Sequence, residues 1–391
     1  MSVLENATTY DVAEIRRAFP GLRPDVARFD GPGGSLVPQV VADAVSGALQ
    51  AGLCQRGGPS AAGLLTDEIT LEARAAMARF VGLGDPRGIV FGRSMTALTF
   101  DIARTLATDW GPGDEVVVSR LDHDANIRPW VVAAERAGAT VRWLGFDPVT
   151  AELDAIEPLL SDRTRVVALT AASNLFGTRP DIAAVSTAAR QAGALMYVDA
   201  VHLAAHAPVD LAALGADLLV CSPYKFFGPH LGVLAADPAL LESLHPDKLL
   251  PSSDAVPERF ELGTLPYELL AGVSAAVEFA EECDMRAVEG HEQELLRAML
   301  DELSTLPRVT VHGAPRQRTP TVVVTVEGLT PVEVTHRLAD RGVVAPAGNF
   351  YALEAAQHAG LGERGGVRVG LSAYTNEDEI DRLVSALRGL D

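Results

Sequence analysis

Residues 195–235 read LMYVDAVHLAAHAPVDLAALGADLLVCSPYKFFGPHLGVLA and carry most of the information about the fold. Three apolar runs stand out in this stretch: Leu195–Asp199, Leu218–Ser222 and Val233–Ala235. None shows the polar alternation of a strand with one face in water. Uninterrupted runs of this length are typical of strands buried on both faces. The stretch therefore predicts three neighbouring strands in the interior of a sheet.

The same pattern continues toward the N-terminus. Four further apolar runs are strand candidates: Ile89–Phe91, Val116–Ser119, Val141–Leu144 and Val166–Thr170. Ala-rich stretches with helical spacing, such as Ile182–Ala192, lie between most of the seven candidates. An alternation of buried strands and helices is typical of an α/β fold, so we predict a mostly parallel seven-stranded sheet covered by helices.

The pattern of strand and helix candidates changes after about residue 260. A long helical pattern covers Leu269–Glu282, and three further strand candidates follow at Val309–Val311, Thr321–Val326 and Val367–Leu371. We interpret this part as a smaller α+β unit. The predicted organisation is a large domain of residues 21–260 and a small domain formed by residues 1–20 and 261–391.

Composition narrows the function classes. The chain has 391 residues, is 48% hydrophobic and 21% charged, and carries a net charge of −20. These values are typical of a globular protein, and the acidic surplus disfavours nucleic acid or an anionic membrane as a partner. The three cysteines form no disulfide framework, and neither a signal-peptide core nor an apolar run of membrane-spanning length is seen. We therefore expect a cytoplasmic protein.

Polar residues follow several of the predicted strands. In open α/β sheets, ligands bind at the carboxyl ends of the strands. The residues at these positions are His123, Asn174, Asp199, Ser222 and Lys225, together with the helix-opening segment GRSMTALTF at residues 92–100. One rim of the sheet thus offers an imidazole, an amide, an acid, an amine and a helix N-terminus.

This set of groups suits pyridoxal 5'-phosphate. The Lys225 amine can hold the cofactor's aldehyde as a Schiff base, and the Asp199 carboxylate can keep the pyridine nitrogen protonated. Asp199 and Lys225 are 26 residues apart, which leaves room for one helix and one strand and brings both to the same rim. The phosphate requires amide groups at a helix N-terminus and nearby hydroxyls, which Ser94, Thr96 and Ser222 can supply.

Seven stretches of the chain, in this order, match those of a known family: GRSMTAL, LDHDANIRPW, TAASNLFGT, VDAVHLAAHAPVDL, CSPYKFFGPHLGVL, RFELGTLPYE and GGVRVGLSAYTNEDEID. With them the chain resembles the class V aminotransferase group of fold-type I pyridoxal-phosphate enzymes. Within that group it is most similar to the group II cysteine desulfurases.

The resemblance implies a role for each matching residue. Lys225 would be the Schiff-base lysine and the proton shuttle, Asp199 would pair with the pyridine nitrogen, and His123 would stack on the ring. Asn174 and His202 would lie near the phenolic oxygen, with His202 at a position where many relatives have Gln.

The resemblance also implies a phosphate site and a substrate site. Thr264 would reach the phosphate of a neighbouring subunit, which implies a homodimer, and Arg368 would bind the carboxylate of a small amino-acid substrate through a bidentate pair. The residues expected around the phosphate within one subunit are Ser94, Met95, Thr96 and Ser222.

Two positions depart from the family pattern. Tyr351, in the segment Gly348–Ala352, occupies the place of the nucleophilic cysteine and cannot accept a sulfane sulfur. Tyr224 replaces the histidine usually found before the lysine. Cys54, in a loop that relatives place near the site, is an alternative thiol. His202 and His206 have the spacing of a metal face, but no third ligand accompanies them, so we expect no metal.

These features leave several functions open. The main hypothesis is desulfurase-like or C–S lyase chemistry, in which a group leaves the β-carbon and no cysteine nucleophile is needed. Transamination and epimerisation share the first proton transfer and differ only in where a proton returns. A non-catalytic scaffold is a third hypothesis, which the presence of both Lys225 and Asp199 disfavours.

Overall fold

The computed structural model describes residues 10–390. The strands are β1 (Ala27–Arg28), β2 (Ile89–Gly92), β3 (Glu115–Ser119), β4 (Thr140–Leu144), β5 (Thr164–Thr170), β6 (Leu195–Asp199), β7 (Leu218–Cys221), β8 (Gly232–Ala236), β9 (Val309–His312), β10 (Thr321–Val326), β11 (Val343–Val344), β12 (Ala347–Gly348) and β13 (Gly366–Gly370). The α-helices are α1 (Val12–Arg17), α2 (Gln39–Gln50), α3 (Ala61–Phe80), α4 (Met95–Leu106), α5 (Arg128–Ala137), α6 (Ile182–Gln191), α7 (Leu211–Leu214), α8 (Pro238–Ser243), α9 (Tyr267–Cys283), α10 (Met285–Ser304), α11 (Pro331–Ala339), α12 (Leu353–His358) and α13 (Glu377–Arg388). Among residues 10–390, no helix combines the length and the apolar character needed to cross a bilayer.

The large sheet has seven strands in the order β2-β8-β7-β6-β5-β3-β4. Strand β8 is antiparallel to both of its neighbours, and the other pairs are parallel. All seven strand candidates of the sequence correspond to strands of this sheet. The predicted α/β fold with a mostly parallel seven-stranded sheet is therefore confirmed.

Both faces of this sheet are buried. In β5, Val166 and Ala168 contribute to one apolar cluster, whereas Val167 and Leu169 contribute to another on the opposite face. Successive side chains of a strand point to opposite faces, so apolar residues at every position require cover on both sides. This requirement explains why the strands appear in the sequence as unbroken apolar runs.

The C-terminal part forms a four-stranded antiparallel sheet in the order β12-β13-β10-β9. Helices α10, α11 and α13 contribute to the apolar cluster on this sheet, and β1 joins β11 in a separate parallel pair. Near the N-terminus, Tyr10 donates a hydrogen bond to the carbonyl of Ala373, and Arg16 forms an ion pair with Glu379. Helix α1 thus packs on the C-terminal unit.

Helix α9 follows the predicted domain boundary at residue 260 but packs mainly on the large unit. It lies against α2 and α3, and its residues Leu270, Val273 and Val277 belong to the apolar cluster of the large sheet. The division into residues 21–260 and residues 1–20 with 261–391 remains a prediction.

Candidate active site

A cavity of about 610 Å³ lies at the carboxyl ends of the large sheet's parallel strands. Asp199 ends β6, Lys225 follows β7, His123 follows β3 and Asn174 follows β5, while Arg368 reaches the cavity from β13. Because neighbouring parallel strands end at the same edge, residues far apart in sequence meet here. The predicted site residues that line the cavity are Met95, Thr96, His123, Asn174, Asp199, His202, Lys225 and Arg368.

Three predicted residues lie outside the lining described for this cavity. Ser94 is the N-cap of α4, and its hydroxyl accepts a hydrogen bond from the amide of Ala97 at 3.1 Å. Ser222 is buried at the end of β7. Thr264 is exposed, and its hydroxyl accepts a hydrogen bond from the Gln55 side-chain amide at 3.3 Å. Their roles in cofactor binding remain predictions.

The Lys225 amine is partly buried and lines the cavity. Its Nζ donates a hydrogen bond to the carbonyl of Pro32 at 2.5 Å and lies 4.8 Å from the centre of the Tyr224 ring. Burial, reinforced by the nearby Arg368 cation, lowers the pKa of Lys225 to about 7, although the Asp199 carboxylate opposes the shift. A large share of this amine is therefore neutral and nucleophilic at neutral pH.

Asp199 is the buried acid of the cavity. Its Oδ1 accepts a hydrogen bond from the amide of Val201 at 2.9 Å. Burial raises the pKa of Asp199 to about 6, and this hydrogen bond and the Lys225 cation limit the rise. A protonated pyridine nitrogen beside this carboxylate would compensate its desolvation.

His123 is held as a neutral imidazole. Its Nδ1 accepts a hydrogen bond from the amide of Ala125 at 3.0 Å, which assigns the ring proton to Nε2. Burial, together with the Lys225 and Arg368 cations, lowers the pKa of His123 to about 4. The ring stacks on Tyr351 with centroids 5.5 Å apart and planes inclined by 28°.

Arg368 is a buried cation that lines the cavity. Its Nη1 donates a hydrogen bond to the carbonyl of Asn174 at 3.0 Å, and its guanidinium carbon lies 3.9 Å from the centre of the Phe350 ring. Its buried Nε has no hydrogen-bond partner within residues 10–390. Burial lowers the pKa of Arg368 to about 9, so it remains charged at neutral pH.

The His202 ring contacts two threonine hydroxyl groups and is not part of a metal-binding cluster within residues 10–390. Its Nε2 lies 3.0 Å and 3.1 Å from the hydroxyl oxygens of Thr319 and Thr321, whereas Nδ1 of His206 faces the Glu292 carboxylate at 2.9 Å. Within residues 10–390, no group of three or more His, Cys, Asp or Glu side chains is arranged to hold a metal ion. Burial lowers the pKa of His202 well below its usual range, so this ring is neutral.

The sequence did not reveal how closely the segment Gly348–Ala352 approaches the site. The Asn174 amide group donates a hydrogen bond to the carbonyl of Phe350 at 2.9 Å, and the amide of Asp124 donates to the carbonyl of Tyr351 at 2.7 Å. Phe350 and Tyr351 both have left-handed backbone conformations, with φ of 54° and 59°. Left-handed non-glycine residues are uncommon and cluster at functional sites, but no local sequence signal predicts two in succession.

Cys54 lies away from this arrangement. It is exposed, and its Sγ is 3.7 Å from the hydroxyl oxygen of Ser60. No cysteine is among the residues described as lining the cavity. The prediction that Cys54 is an alternative thiol at the site therefore gains no geometric support from the described residues.

The fold and this site define a fold-type I pyridoxal-phosphate enzyme, and the model of the family "Aminotransferase class-V" matches residues 28–383. The chain belongs to the class-V aminotransferase family. It is 32% identical to an uncharacterized protein of Mycobacterium tuberculosis, over 97% of this chain and 99% of that relative. A cysteine desulfurase of Salmonella agona is 29% identical, over 97% of this chain and 98% of its own length.

Solved structures agree with this assignment. The cysteine desulfurase CsdA from Escherichia coli superposes with a TM-score of 0.88 at 26% identity, covering 97% of this chain and 98% of that chain. The protein is therefore a pyridoxal-phosphate-dependent enzyme of this family, with cysteine desulfurases among its relatives.

The residues of the cavity fit this cofactor. Three buried polar atoms of lining residues have no partner within residues 10–390, namely Oδ1 of Asn174, Nδ1 of His202 and Nε of Arg368. Buried polar groups normally have partners, so their occurrence around one cavity indicates a polar ligand. The first turn of α4 adds amide groups that cannot bond within the helix and suit a phosphate.

We expect cofactor capture to depend on the protonation of Lys225. Only the neutral amine attacks an aldehyde, so the rate at which the apoprotein binds pyridoxal phosphate covalently should rise about tenfold from pH 6 to pH 8, with a midpoint near 7. Stopped-flow absorbance measures this rate. A Lys248→Ala variant should give the same profile, and a midpoint near the ordinary lysine value would contradict the assignment.

Proposed function

We propose that this protein is a C–S lyase that cleaves the bond between Cβ and sulfur of a small α-amino acid by β-elimination. The observation that carries the proposal is the composition of one cavity. A partly neutral amine and a buried guanidinium share it with Tyr351, which by the family resemblance stands where desulfurases carry their cysteine, and no thiol is among the described lining residues. The site thus supplies groups for proton abstraction and carboxylate binding, but none for accepting sulfur.

Each residue has a defined task in this proposal. Arg368 binds the substrate carboxylate through its in-plane N–H groups, and Lys225 removes the proton from Cα. Asp199 holds the proton of the pyridine nitrogen, and neutral His123 packs against the cofactor ring. Bound pyridoxal phosphate supplies an electron-withdrawing ring that stabilises negative charge at Cα.

The reaction balances without an oxidant or a reductant. The Cα proton passes to Lys225 Nζ, the Cβ–S bond breaks, and its electron pair departs with sulfur, which leaves as a thiol after protonation. The remaining three-carbon unit takes up one water and ends as pyruvate and ammonium. Sulfur leaves with its own substituent, so no nucleophile of the protein has to receive it.

Transamination and epimerisation use the same first proton transfer, and Lys225 is placed for all three reactions. The Tyr351 substitution favours the lyase because it removes the sulfur-accepting step from a site that otherwise resembles those of cysteine desulfurases. A scaffold role is disfavoured because Lys225 and Asp199 both line one cavity together with Arg368.

We also propose a cytoplasmic homodimer. Thr264 is exposed beside Leu262, which is itself 56% exposed, so this segment is free to reach a second subunit. The three cysteines are unpaired, as in a reducing compartment.

The test is a product analysis with the holoenzyme on L-cysteine, cystine and S-substituted cysteines. We expect pyruvate in equal amounts with the sulfur product, which is hydrogen sulfide from L-cysteine, thiocysteine from cystine and a thiol from S-substituted cysteines. Alanine with released sulfur would instead establish desulfuration. A keto acid that keeps the substrate skeleton, accompanied by pyridoxamine phosphate, would establish transamination. Loss of the α-deuterium without any net product would establish epimerisation.

A further inference from the structure

We infer that Phe350 and Tyr351 form the recognition surface for the substituent on the substrate's sulfur, and that the preferred substrates are cysteine thioethers with a flat apolar substituent. The inference rests on the proposed function and names its substrate class. We call the segment Asn349–Tyr351 the aromatic loop.

The aromatic loop is fixed in place by its backbone. The carbonyls of Phe350 and Tyr351 accept the hydrogen bonds from Asn174 and Asp124 described above, and the Asn349 side chain accepts one from the amide of Tyr351 at 3.1 Å. The Asn349 amide group in turn donates to the carbonyl of Glu363 at 3.0 Å. Because partners on three other segments hold this strained turn, its two rings have defined positions in the wall.

The Phe350 ring covers one face of the Arg368 guanidinium. A carboxylate binds a guanidinium in its plane, through parallel N–H donors, whereas an aromatic ring packs on the face. Arg368 lines the cavity, and its buried Nε has no partner within residues 10–390, so the guanidinium keeps donor capacity for a substrate carboxylate beside the Phe350 ring. The first contact of a bound substrate with the loop is thus the Phe350 ring.

Tyr351 extends this wall toward His123. Its ring stacks on the imidazole on one side, yet the residue is 74% exposed. With the carboxylate at Arg368 and Cα at Lys225, the substrate's side chain shares the cavity that His123, Phe350 and Tyr351 also line. An aromatic ring with one packed face and one uncovered face is a binding surface for a flat apolar group.

The rest of the cavity also favours a large substituent. Phe100, 38% exposed, lines the same cavity and adds a further aromatic face. The thiol of free cysteine is too small to cover the exposed aromatic faces. A benzyl or similar group would remove them from water.

The test compares kcat/KM for S-benzyl-L-cysteine, S-methyl-L-cysteine and L-cysteine with the holoenzyme. We expect S-benzyl-L-cysteine to exceed both others by about tenfold or more. In Tyr351→Ala this preference should fall to near one, and in Tyr351→Phe, which retains the ring, it should persist. Each preference is a ratio measured within one preparation, so partial misfolding of a variant cancels.

Exchange of the α-proton in D2O, measured together with pyruvate release, distinguishes a failure of the proposed lyase function from a failure of the recognition role of the loop. Neither exchange nor pyruvate release with any of the three amino acids would overturn the proposed lyase function itself. Pyruvate release with equal kcat/KM for all three, or a benzyl preference that survives in Tyr351→Ala, would overturn the recognition role of the loop and leave the lyase function standing.

Discussion

Replacing Lys225 by alanine is expected to lower kcat for β-elimination by roughly a thousandfold or more. The variant loses the amine that holds the cofactor and the base that removes the Cα proton, and no other lysine lines the cavity among residues 10–390. Steady-state release of pyruvate measures the loss. Borohydride reduction of the holoenzyme followed by peptide mass analysis should find the cofactor on Lys225 in the unmodified protein and nowhere in the variant.

The chain contains a matched control for this experiment, because it has only two lysines, Lys225 and Lys248. Lys248 lies outside the cavity, where its Nζ donates a hydrogen bond to the carbonyl of Ser252 at 2.8 Å and faces Asp254 at 3.2 Å. Lys248→Ala should keep full activity and the label on Lys225. Reduced label on Lys248, or activity that persists in Lys225→Ala, would overturn the assignment.

Replacing Arg368 by alanine is expected to lower kcat/KM by roughly thirty- to several-thousandfold, which corresponds to a loss of about 2–5 kcal/mol of transition-state stabilisation. The substrate carboxylate would then enter a buried site without a counter-charge or a bidentate donor. Arg368→Lys should recover little, because an ammonium group cannot reproduce the fork or keep the Phe350 ring on its face. Kinetics with S-benzyl-L-cysteine measure both variants.

Two controls accompany the Arg368 variants. Arg364→Ala changes an exposed arginine four residues earlier and should leave kcat/KM unchanged. S-benzylcysteamine, which lacks the carboxylate, should undergo cofactor-dependent α-proton exchange at the same rate in Arg368→Ala and in the unmodified enzyme. An equal loss with this analogue would show that Arg368 shapes the cavity and does not bind the carboxylate.

The strands of the large sheet could be predicted because burial on both faces leaves a direct mark on composition. Every residue of β5 except Arg165 is buried, so the strand appears as an apolar run. The packing partners of helix α9 could not be predicted in the same way. Its apolar stripe predicts a helix, but a stripe does not specify which surface covers it, and α9 packs on α2 and α3 of the preceding unit.

The candidate site was predictable to the extent that it follows strand ends. Asp199, Lys225 and His123 follow buried strands, and the carboxyl ends of parallel strands share an edge. The contact of Phe350 with Arg368 and that of Tyr351 with His123 join distant parts of the chain through a left-handed turn. No periodicity or spacing encodes such contacts. Ser222 also follows a buried strand but lies outside the lining described for the cavity, so its role in phosphate binding remains a prediction.

The scarcity of lysine has a consequence for chemical selectivity. Free pyridoxal phosphate is an aldehyde that condenses with any accessible primary amine, and many carbonyl metabolites react with amines in the same way. This chain carries its positive charge on 30 arginines, whose guanidinium groups stay protonated and do not undergo this condensation at neutral pH. The only side-chain amine besides Lys225 is held by an ion pair and a backbone carbonyl. The surface therefore offers the cofactor almost no competing amines. The Lys225 amine in the cavity, with its lowered pKa, is the one that can react with it.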